Sequence, residues 1–539
     1  MRARFAAAAL CSLVALLAAA CGSSSSAPAP PADPPRLLVV MVVDQMRFDY
    51  ITRYEGRWTK GLRRLLDQGA VFTEARYPYL NTVTCAGHAT IGTGVLPLKS
   101  GIFLNEWWSR ERGRRIICTD DGSAEPVSYA SLPEPVGHGP GNLQVPTLGD
   151  RLRERTPESR VVTLSMKPRS AVMLAGHGAT AVTWLGDNFH WATSTAYTEE
   201  LLGEVKDYVD AHPMDHDRQA VWEPMAEMGS YAGADDGVGE RPKTGWTARF
   251  PHPLAGAPGT PEDQFYTLWE RSPYSDAYLG AFAANLVEHF QLGQRDVVDL
   301  LGVSFSGLDS VGHDFGPESV EAEDTLLRLD ATIGTLLDEL DRQVGRGRYA
   351  LALSADHGVA PIPEAHDGGR VLPRALAGAV NDAMAELGDE PHVADVDYTN
   401  VYLTTRTREA VAGRPELLAR AKQALLALPG VERVFEAREV DGQRTSTDPV
   451  LRAAALSYVP GRSGDLIVIP RRGWILSADA TTHGSLYDYD QHVPLIVLGP
   501  GVTPGRYDTA ASPADLAPTL ASLAGLSLPD VDGTVLKVK

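Results

Sequence analysis

A continuous apolar run, LLVVMVV at residues 37–43, ends directly at Asp44 and constrains the fold more than any other feature. It shows no alternation of apolar and polar residues, which is typical of a strand buried on both faces of a parallel sheet. Similar runs recur in the segments VVTLSM (161–166), LLGVSFSGLD (300–309), YALALSADHG (349–358) and VPLIVLGPG (493–501). We therefore expect a sheet built from buried parallel strands.

Helix-like segments separate several of these runs. The segment 325–344 places apolar residues at i, i+3 and i+4 spacing, which indicates an amphipathic helix. Alternating strands and helices predict an α/β fold in which helices sandwich a mostly parallel sheet. We expect this main domain to span 36–371 and 471–539, with an irregular insertion at 196–295 and an inserted α+β cap at 372–470.

The first residues carry the pattern of an export signal. Arg2 and Arg4 precede a short apolar run that ends in LAAAC at Cys21, and a Ser-, Ala- and Pro-rich segment follows at 22–35. This pattern predicts a signal peptide over 1–21, then a flexible tether. Cys21 resembles the lipid-modified cysteine of bacterial lipoproteins, so we expect an exported protein that is periplasmic or anchored to the outer membrane. The alternative is that an ordinary signal peptidase cleaves the chain nearby and that Cys21 carries no lipid.

The composition is that of a globular protein and limits its partners. Of 539 residues, 44% are hydrophobic and 22% are charged, and the formal net charge is −20. Because general nucleic-acid binders need clustered Lys and Arg, we expect no nucleic-acid partner. We expect small-molecule partners and a monomeric protein. Beyond the N-terminal segment the chain has only Cys85 and Cys118, which could form one bridge or remain free.

Acidic residues and histidines stand where the apolar runs end, and this edge of an open α/β sheet is where ligands bind. Four of them end or directly follow a run: Asp44, Asp309, Asp356 and His357. His313 comes four residues after Asp309, a spacing that places both side chains on one side of a turn or helix, and His483 precedes the last run. Carboxylates and imidazoles without thiolates suit zinc, so the sequence predicts a two-metal site.

Together with Thr84, these residues occur in the order and local contexts of the alkaline phosphatase superfamily. From about residue 36 to its end, the chain resembles the PafA-type phosphate-irrepressible alkaline phosphatases, which are close in fold to nucleotide pyrophosphatase/phosphodiesterases. The resemblance implies that one zinc ion is bound by Asp309, His313 and His483. It implies that a second zinc ion is bound by Asp44, Asp356 and His357 and also contacts the nucleophile, Thr84.

The segment NTVTCAGHATIGTG at 81–94 contains this nucleophile. Cys85 is the more reactive side chain by itself, but the resemblance places the nucleophilic hydroxyl at Thr84, and zinc would lower the pKa of that hydroxyl. A sulfatase is excluded, because Gly87 and Ala89 stand where its Cys-x-Pro-x-Arg pattern needs Pro and Arg. No Gly-Lys-Ser/Thr sequence follows, which excludes a Walker A loop. We expect His88 to be structural.

Three further residues bear on the substrate. A monoester dianion carries one more non-bridging negative charge than a diester, so a monoesterase gains from additional charged donors. Lys167 and Arg169 follow an apolar run, and an extended backbone, favoured before Pro168, would place both on one face. The resemblance implies that this pair contacts phosphate in monoesterases and that Asn105 donates to a phosphate oxygen. An ordinary solvated basic pair is the alternative.

The sequence therefore predicts an exported zinc-dependent phosphatase that hydrolyses phosphate monoesters through a phosphothreonine at Thr84. The alternative among enzymes is a phosphodiesterase or nucleotide pyrophosphatase on the same two-metal core. The alternative in another class is an inactive envelope lipoprotein that binds metal or phosphate. His492 could support His483 or pack before the last strand, and we assign no ligand role to His177, Asp488 or Asp490.

Overall fold

The computed structural model describes residues 34–130 and 135–538, and its largest element is a ten-stranded sheet. From one edge to the other the strands are Gly505–Ala511, Ala70–Ala75, Leu495–Leu498, Tyr349–Ser354, Leu37–Val43, Asp299–Phe305, Val161–Ser165, Ala181–Leu185, Trp191–Ser194 and Pro126–Ser128. All neighbours from Tyr349–Ser354 to Ala181–Leu185 pair in parallel. The mostly parallel sheet that the sequence predicts is confirmed.

The strand Leu37–Val43 lies in the middle of this parallel part and is buried along its whole length. Burial of each Val or Leu side chain stabilises the fold by about 1.5–3 kcal/mol, which explains why the run contains no polar residue. In the sheet register Val43 pairs with Phe305, and Val42 pairs with Ser354. Because the three strands end level with one another, the residues that follow them meet at one edge of the sheet.

The strand Leu495–Leu498, from the last apolar run, differs from the parallel strand that its sequence suggests. It pairs antiparallel with Tyr349–Ser354 on one side and with Ala70–Ala75 on the other. A strand between two neighbours in a covered sheet is apolar on both faces whichever way it runs. An apolar run therefore predicts burial, whereas the connection before the strand decides its direction.

Two groups of helices flank the sheet. In one group, Pro273–His289 and Gly61–Gln68 pack against the long helix Val320–Leu340, which overlaps the predicted helix 325–344. In the other, Thr84–Thr93 packs against Pro168–Ala175 and Leu516–Leu523. The remaining helices of at least eight residues in the main domain are Leu148–Arg155, Gly203–Ala211 and Gly307–Phe315.

Residues 196–295 are more ordered than the irregular insertion that the sequence suggests. Helices Gln264–Glu270 and Pro273–His289 form its last part, and the second buries an apolar stripe with Leu279, Phe282 and Leu286. The 3.6-residue spacing of that stripe is visible in the sequence and is sufficient to predict this helix. Short turns and two-residue strands at Val221–Trp222 and His252–Pro253 make up much of the region before it.

A second sheet lies within the range for which the sequence predicts a cap. Its strands, in spatial order, are Val393–Asp397, Asn400–Leu403, Leu466–Pro470 and Val431–Glu436, and all neighbours are antiparallel. Its helices are Pro373–Ala383, Thr405–Ala412, Pro415–Leu426 and Pro449–Ser457. A separate apolar core, with members such as Leu376, Val380 and Leu425, lies under this sheet. The boundaries 372–470 of an independent cap remain a prediction.

Among residues 34–130 and 135–538, no helix is long and apolar enough to cross a membrane. The predicted signal peptide, Cys21 and most of the tether lie outside the described residues.

A buried acid–imidazole pair lies within the helical layer. Glu321, at the start of Val320–Leu340, is fully buried, and its Oε1 lies 3.0 Å from Nε2 of His252. Burial raises the pKa of Glu321 to about 8. Burial lowers the pKa of His252 to about 4, so both side chains are neutral between these two values.

We expect Glu321→Gln to stabilise the protein in alkaline but not in acidic buffer. The unfolded chain ionises this glutamate near pH 4.5, whereas the folded protein keeps the proton to about pH 8, so wild type loses stability as pH rises through this window. The variant lacks that loss. Relative to wild type, its free energy of unfolding should therefore be about 1–3 kcal/mol higher at about pH 9 than the same comparison gives at about pH 5. Thermal unfolding at both pH values measures this gain. Glu318→Gln, on the surface, should behave like wild type, and an equal gain for Glu321→Gln at both pH values would contradict the assignment.

Candidate active site

Two groups of carboxylates and imidazoles lie at the carboxyl edge of the central sheet. One contains Asp44, Asp356 and His357, and the other contains Asp309, His313 and His483. Within each group the ligand atoms lie within 4.8 Å of one another. Asp44 and Asp356 follow neighbouring parallel strands that end level, so the sheet register brings these two carboxylates together.

The second group combines a helix with a distant loop. Asp309 and His313 lie one turn apart on the helix Gly307–Phe315, and His313 Nε2 is 3.2 Å from Asp309 Oδ1. His483 approaches from the loop before the helix Asp488–Gln491, and its Nε2 is 3.9 Å from the same oxygen. The rings of His483 and His357 stack with centroids 3.5 Å apart, which places the two groups side by side.

All three histidines present the same ring nitrogen to the carboxylates. Their Nδ1 atoms donate to backbone carbonyl oxygens: His313 to Thr481 at 3.0 Å, His357 to Gly358 at 2.9 Å and His483 to Thr82 at 2.9 Å. A carbonyl oxygen can only accept, so each Nδ1 carries a proton and Nε2 is the ring nitrogen that faces the site. Coordination of a metal ion through Nε2 needs the proton on Nδ1.

The first group has the spacing of ligands around one ion. Asp44 Oδ1 and Asp356 Oδ2 each lie 3.4 Å from His357 Nε2. Within the part of the chain that the structure describes, Asp44 Oδ1 is buried without a hydrogen-bond partner. Ligands bound tetrahedrally at about 2.0–2.1 Å stand about 3.3 Å apart, so this geometry and this donor set fit a shared metal ion.

The clustered carboxylates strongly influence each other's ionisation. Burial, and then the two neighbouring aspartates, raises the pKa of Asp44 well above its usual value. Burial also opposes ionisation of Asp309, but the charges of Lys167 and His313 outweigh it and hold the pKa well below its usual range. Burial and the adjacent imidazoles lower the pKa of His483, so it stays neutral and available as a ligand.

The Lys167 ammonium lies between the two groups. Its Nζ is 2.7 Å from Asp44 Oδ2 and also pairs with Asp309 Oδ2. Burial lowers the pKa of Lys167, but Asp309 and Asp44 together raise it above its ordinary value, so the ammonium stays charged. The side chain therefore supplies a buried positive charge at the junction of the two groups.

Arg169 lies in a different backbone conformation from the one that the sequence suggests. Lys167 is extended, but the helix Pro168–Ala175 begins at the next residue and already includes Arg169. The expectation of an extended Lys-x-Arg segment is wrong, because Pro is well suited to the first position of a helix. Arg169 nevertheless lies close enough for its charge to act on Lys167.

Thr84 is the first residue of the helix Thr84–Thr93, and its Oγ1 lies 3.4 Å from His357 Nε2. Every residue of this helix is buried. The free amide groups and the positive end of a helix dipole favour negative charge at this position. The hydroxyl that the sequence predicts as nucleophile is therefore beside the first group and in a favourable electrostatic position.

Cys85 is joined to Cys118 by a disulfide, which decides the alternative that the sequence leaves open. The backbone amides of both cysteines also donate hydrogen bonds to Asn105. The Cys85 amide donates to Asn105 Oδ1 at 2.8 Å, and the Cys118 amide donates to the Asn105 backbone oxygen at 2.8 Å. These bonds fix Asn105 next to Thr84.

Gln45 contacts both groups, although it belongs to none of the sequence motifs described above. Its backbone amide donates to Asp356 Oδ1 at 3.2 Å, and its Nε2 donates to Asp309 Oδ1 at 2.5 Å. The residue is fully buried with a φ of 67°, in the left-handed region that non-glycine residues seldom adopt. Its position directly after Asp44 is the signal that could have identified it.

Two further histidines that the sequence analysis considered, His88 and His492, differ in their distance from the site. His88 is buried, with Nε2 2.7 Å from Ser304 Oγ and Nδ1 2.9 Å from the Thr84 carbonyl oxygen and 3.1 Å from Asp356 Oδ2. It supports the site, which agrees with a structural role. His492 stacks on Phe48 and its Nε2 lies 2.8 Å from the Thr73 carbonyl oxygen, so it packs rather than supports His483.

Comparison with known proteins assigns this arrangement to a family. The type I phosphodiesterase / nucleotide pyrophosphatase family matches residues 38–493. The chain belongs to this family. Alkaline phosphatase PafA from Elizabethkingia meningoseptica is 30% identical over 92% of each chain. A crystal structure of wild-type PafA matches with a TM-score of 0.86 at 29% identity, covering 94% of this chain and 99% of that one.

A relative from Myroides odoratus, named calcium-transporting ATPase, is 33% identical over 92% of each chain. These similarities confirm the resemblance to the alkaline phosphatase superfamily and to its α/β fold. The family is one of phosphoric ester hydrolases, so the prediction of an enzyme is also confirmed.

We expect Gln45→Asn to weaken metal binding. Asn tolerates a positive φ, but its side chain is one methylene shorter and should not reach Asp309. Loss of such a supporting hydrogen bond typically weakens metal affinity about 10–100-fold. Zinc competition with a chromophoric chelator measures this change. Gln491→Asn is the control, since Gln491 donates to the Tyr79 carbonyl oxygen and not to a proposed ligand. Equal zinc affinities for the two variants would contradict the role of Gln45.

Proposed function

We propose that this protein is a zinc-dependent alkaline phosphatase that hydrolyses phosphate monoesters to an alcohol and inorganic phosphate. The observation that carries the proposal is the buried Lys167 ammonium between two groups of metal-ligating side chains, one of which contacts the Thr84 hydroxyl. Relatives that share about 30% identity over most of the chain are named alkaline phosphatases, which supports it.

The charge balance favours a dianionic substrate. Three aspartates would repel a phosphate group, so a monoester needs compensating cations at the same place. Lys167 and Arg169 supply such charge from the start of one helix, and Asn105 supplies a neutral donor. Charge-assisted hydrogen bonds are the strong ones, and a monoester offers one more charged oxygen to receive them than a diester.

We propose that the site binds two zinc ions. Asp44, Asp356 and His357 would hold one ion in contact with Thr84, and Asp309, His313 and His483 would hold the other. When bound, zinc supplies Lewis acidity, which lowers the pKa of a hydroxyl ligand and compensates charge on the transferring phosphoryl group.

The chain's own residues account for the remaining chemistry. Thr84 Oγ1 loses its proton to solvent and attacks phosphorus in line, the bond to the leaving oxygen breaks, that oxygen takes a proton from solvent to leave as the alcohol, and a phosphothreonine forms. Water then cleaves the phosphothreonine, releasing inorganic phosphate and restoring the hydroxyl. Lys167, Arg169, Asn105 and the helix N-terminus hold the non-bridging oxygens throughout. Phosphoryl transfer has a loose transition state, so this positioning and charge compensation are the main contributions of the protein.

A phosphodiesterase or nucleotide pyrophosphatase activity on the same groups is the second candidate, and the family match itself favours it. An inactive protein that binds metal or phosphate is the third. The presence of both ligand groups together with a hydroxyl at a helix N-terminus argues against the third.

The cellular setting of the proposal rests on the N-terminal sequence. The basic residues, the short apolar run and Cys21 support export from a bacterial cytoplasm and a lipid anchor on the envelope. Such a location would let a monomeric phosphatase release phosphate from esters outside the cytoplasm.

The first experiment compares p-nitrophenyl phosphate with bis-p-nitrophenyl phosphate in the zinc-loaded protein and in Lys167→Ala/Arg169→Ala. We expect wild type to prefer the monoester. The double substitution should lower kcat/KM for the monoester about 10²–10³-fold and for the diester less than about 10-fold, because only the dianion needs both charges. Lys243→Ala, which removes a lysine paired with Asp314, is the control. Preference for the diester with little effect of the double substitution would support the second candidate instead.

A second experiment tests the covalent intermediate. Acid quenching during turnover, followed by peptide mass spectrometry, should find phosphate on the peptide that contains Thr84. Thr84→Ala should lower kcat/KM by about 10³-fold or more, whereas Thr84→Ser should retain turnover because a hydroxyl remains. Zinc content measured alongside separates loss of the nucleophile from loss of metal. Full activity of Thr84→Ala would exclude the proposed nucleophile.

A further inference from the structure

Tyr398 reaches the candidate active site from the second sheet. It lies in the turn between the strands Val393–Asp397 and Asn400–Leu403, and its ring is 6.1 Å from the ring of His483. The ring also stands over Gly484, where a Cβ would lie 2.7 Å from Tyr398 Cδ1. The hydroxyl is 3.4 Å from Asn105 Nδ2.

The hydrogen bonds of Asn105 show what this hydroxyl does. The Cys85 amide can only donate, so the Asn105 atom that it contacts must be the oxygen, and the amide orientation is settled. The NH₂ group has two hydrogens, and one of them points to the Tyr398 oxygen. The second is left for a substrate oxygen. Tyr398 and Cys85 thus hold the two ends of the amide and set the direction of the remaining N–H.

The backbone at Tyr398 adds an independent observation. Asp397 pairs with Asn400, so Tyr398 and Thr399 are the two turn residues, and Tyr398 has a φ of 46°. Glycine or asparagine is the usual residue at such a position, and strained non-glycine residues cluster at functional sites. The turn is fixed beside the segment that leads into the helix Thr84–Thr93, because Thr399 Oγ1 donates to Asn81 Oδ1 at 2.7 Å.

We propose that Tyr398 is a positioning residue, which orients the Asn105 amide toward the phosphate group and so makes the second sheet part of the phosphate site. This inference rests on the proposed phosphatase function. The Cys85–Cys118 disulfide supports the same arrangement, since both cysteines bond to Asn105.

The test is a double-mutant cycle with Tyr398→Phe and Asn105→Ala in the zinc-loaded protein. We expect Tyr398→Phe to lower kcat/KM for p-nitrophenyl phosphate about 3–10-fold and to weaken inorganic phosphate binding by a similar factor, as expected for one lost hydrogen bond. In the Asn105→Ala background the same substitution should change neither quantity by more than about 1.5-fold, because its effect passes through Asn105.

Tyr402→Phe is the matched control. Tyr402 lies on the next strand, and its hydroxyl is buried with no hydrogen-bond partner in the segments that the structure describes. This variant should keep wild-type kinetics and phosphate binding, and unfolding temperatures should show that all variants fold.

The possible results separate the two proposals. Wild-type turnover with no effect of Tyr398→Phe would overturn the role of Tyr398 alone. Equal losses in both Asn105 backgrounds would overturn positioning, because Tyr398 would then act on the substrate independently. If wild type binds phosphate without turning over monoesters, the phosphatase proposal fails while the binding cycle still decides the role of Tyr398. A wild type that shows neither binding nor turnover would overturn both.

Discussion

Three buried aspartates in one small volume are the constraint on which the rest of this site depends. Asp44, Asp309 and Asp356 follow three adjacent strands of the parallel sheet, so the register forces their carboxylates toward one another. Burial disfavours ionised carboxylates, and mutual repulsion adds to that cost. The arrangement is stable only where positive charge is supplied in the same place, and this requirement explains the groups around it.

The surrounding residues meet this requirement in different ways. Lys167 places a fixed ammonium between the two groups, and Thr84 stands at the positive end of a buried helix. Each histidine donates Nδ1–H to a backbone carbonyl oxygen and so turns its Nε2 toward the carboxylates. Gln45, in a left-handed backbone conformation, donates to both groups and holds their relative position. Such hydrogen bonds to ligating carboxylates commonly tune metal affinity.

The proposed phosphate side of the site is assembled from three separate parts of the chain. Asn105 comes from a loop fixed by the Cys85–Cys118 disulfide, Lys167 from the end of a parallel strand, and Tyr398 from a turn of the second sheet. The second sheet has its own apolar core, yet Thr399 in its turn also donates to Asn81, close to Thr84 in the chain.

The sequence by itself determined the parallel α/β sheet and the carboxylate and imidazole side chains at its edge. Buried parallel strands are predominantly apolar, and the charged residues that follow them mark the edge where ligands bind. It could not give the direction of Leu495–Leu498 or the helix at Arg169, because burial produces the same apolar run in either direction and a proline suits both extended and helical starts. Tyr398 was also beyond it, and Gln45 was signalled only by its position after Asp44, since both roles depend on contacts with residues more than 250 positions away. Only the tertiary structure decided these features, because side-chain hydrogen bonds between distant segments follow no local periodicity.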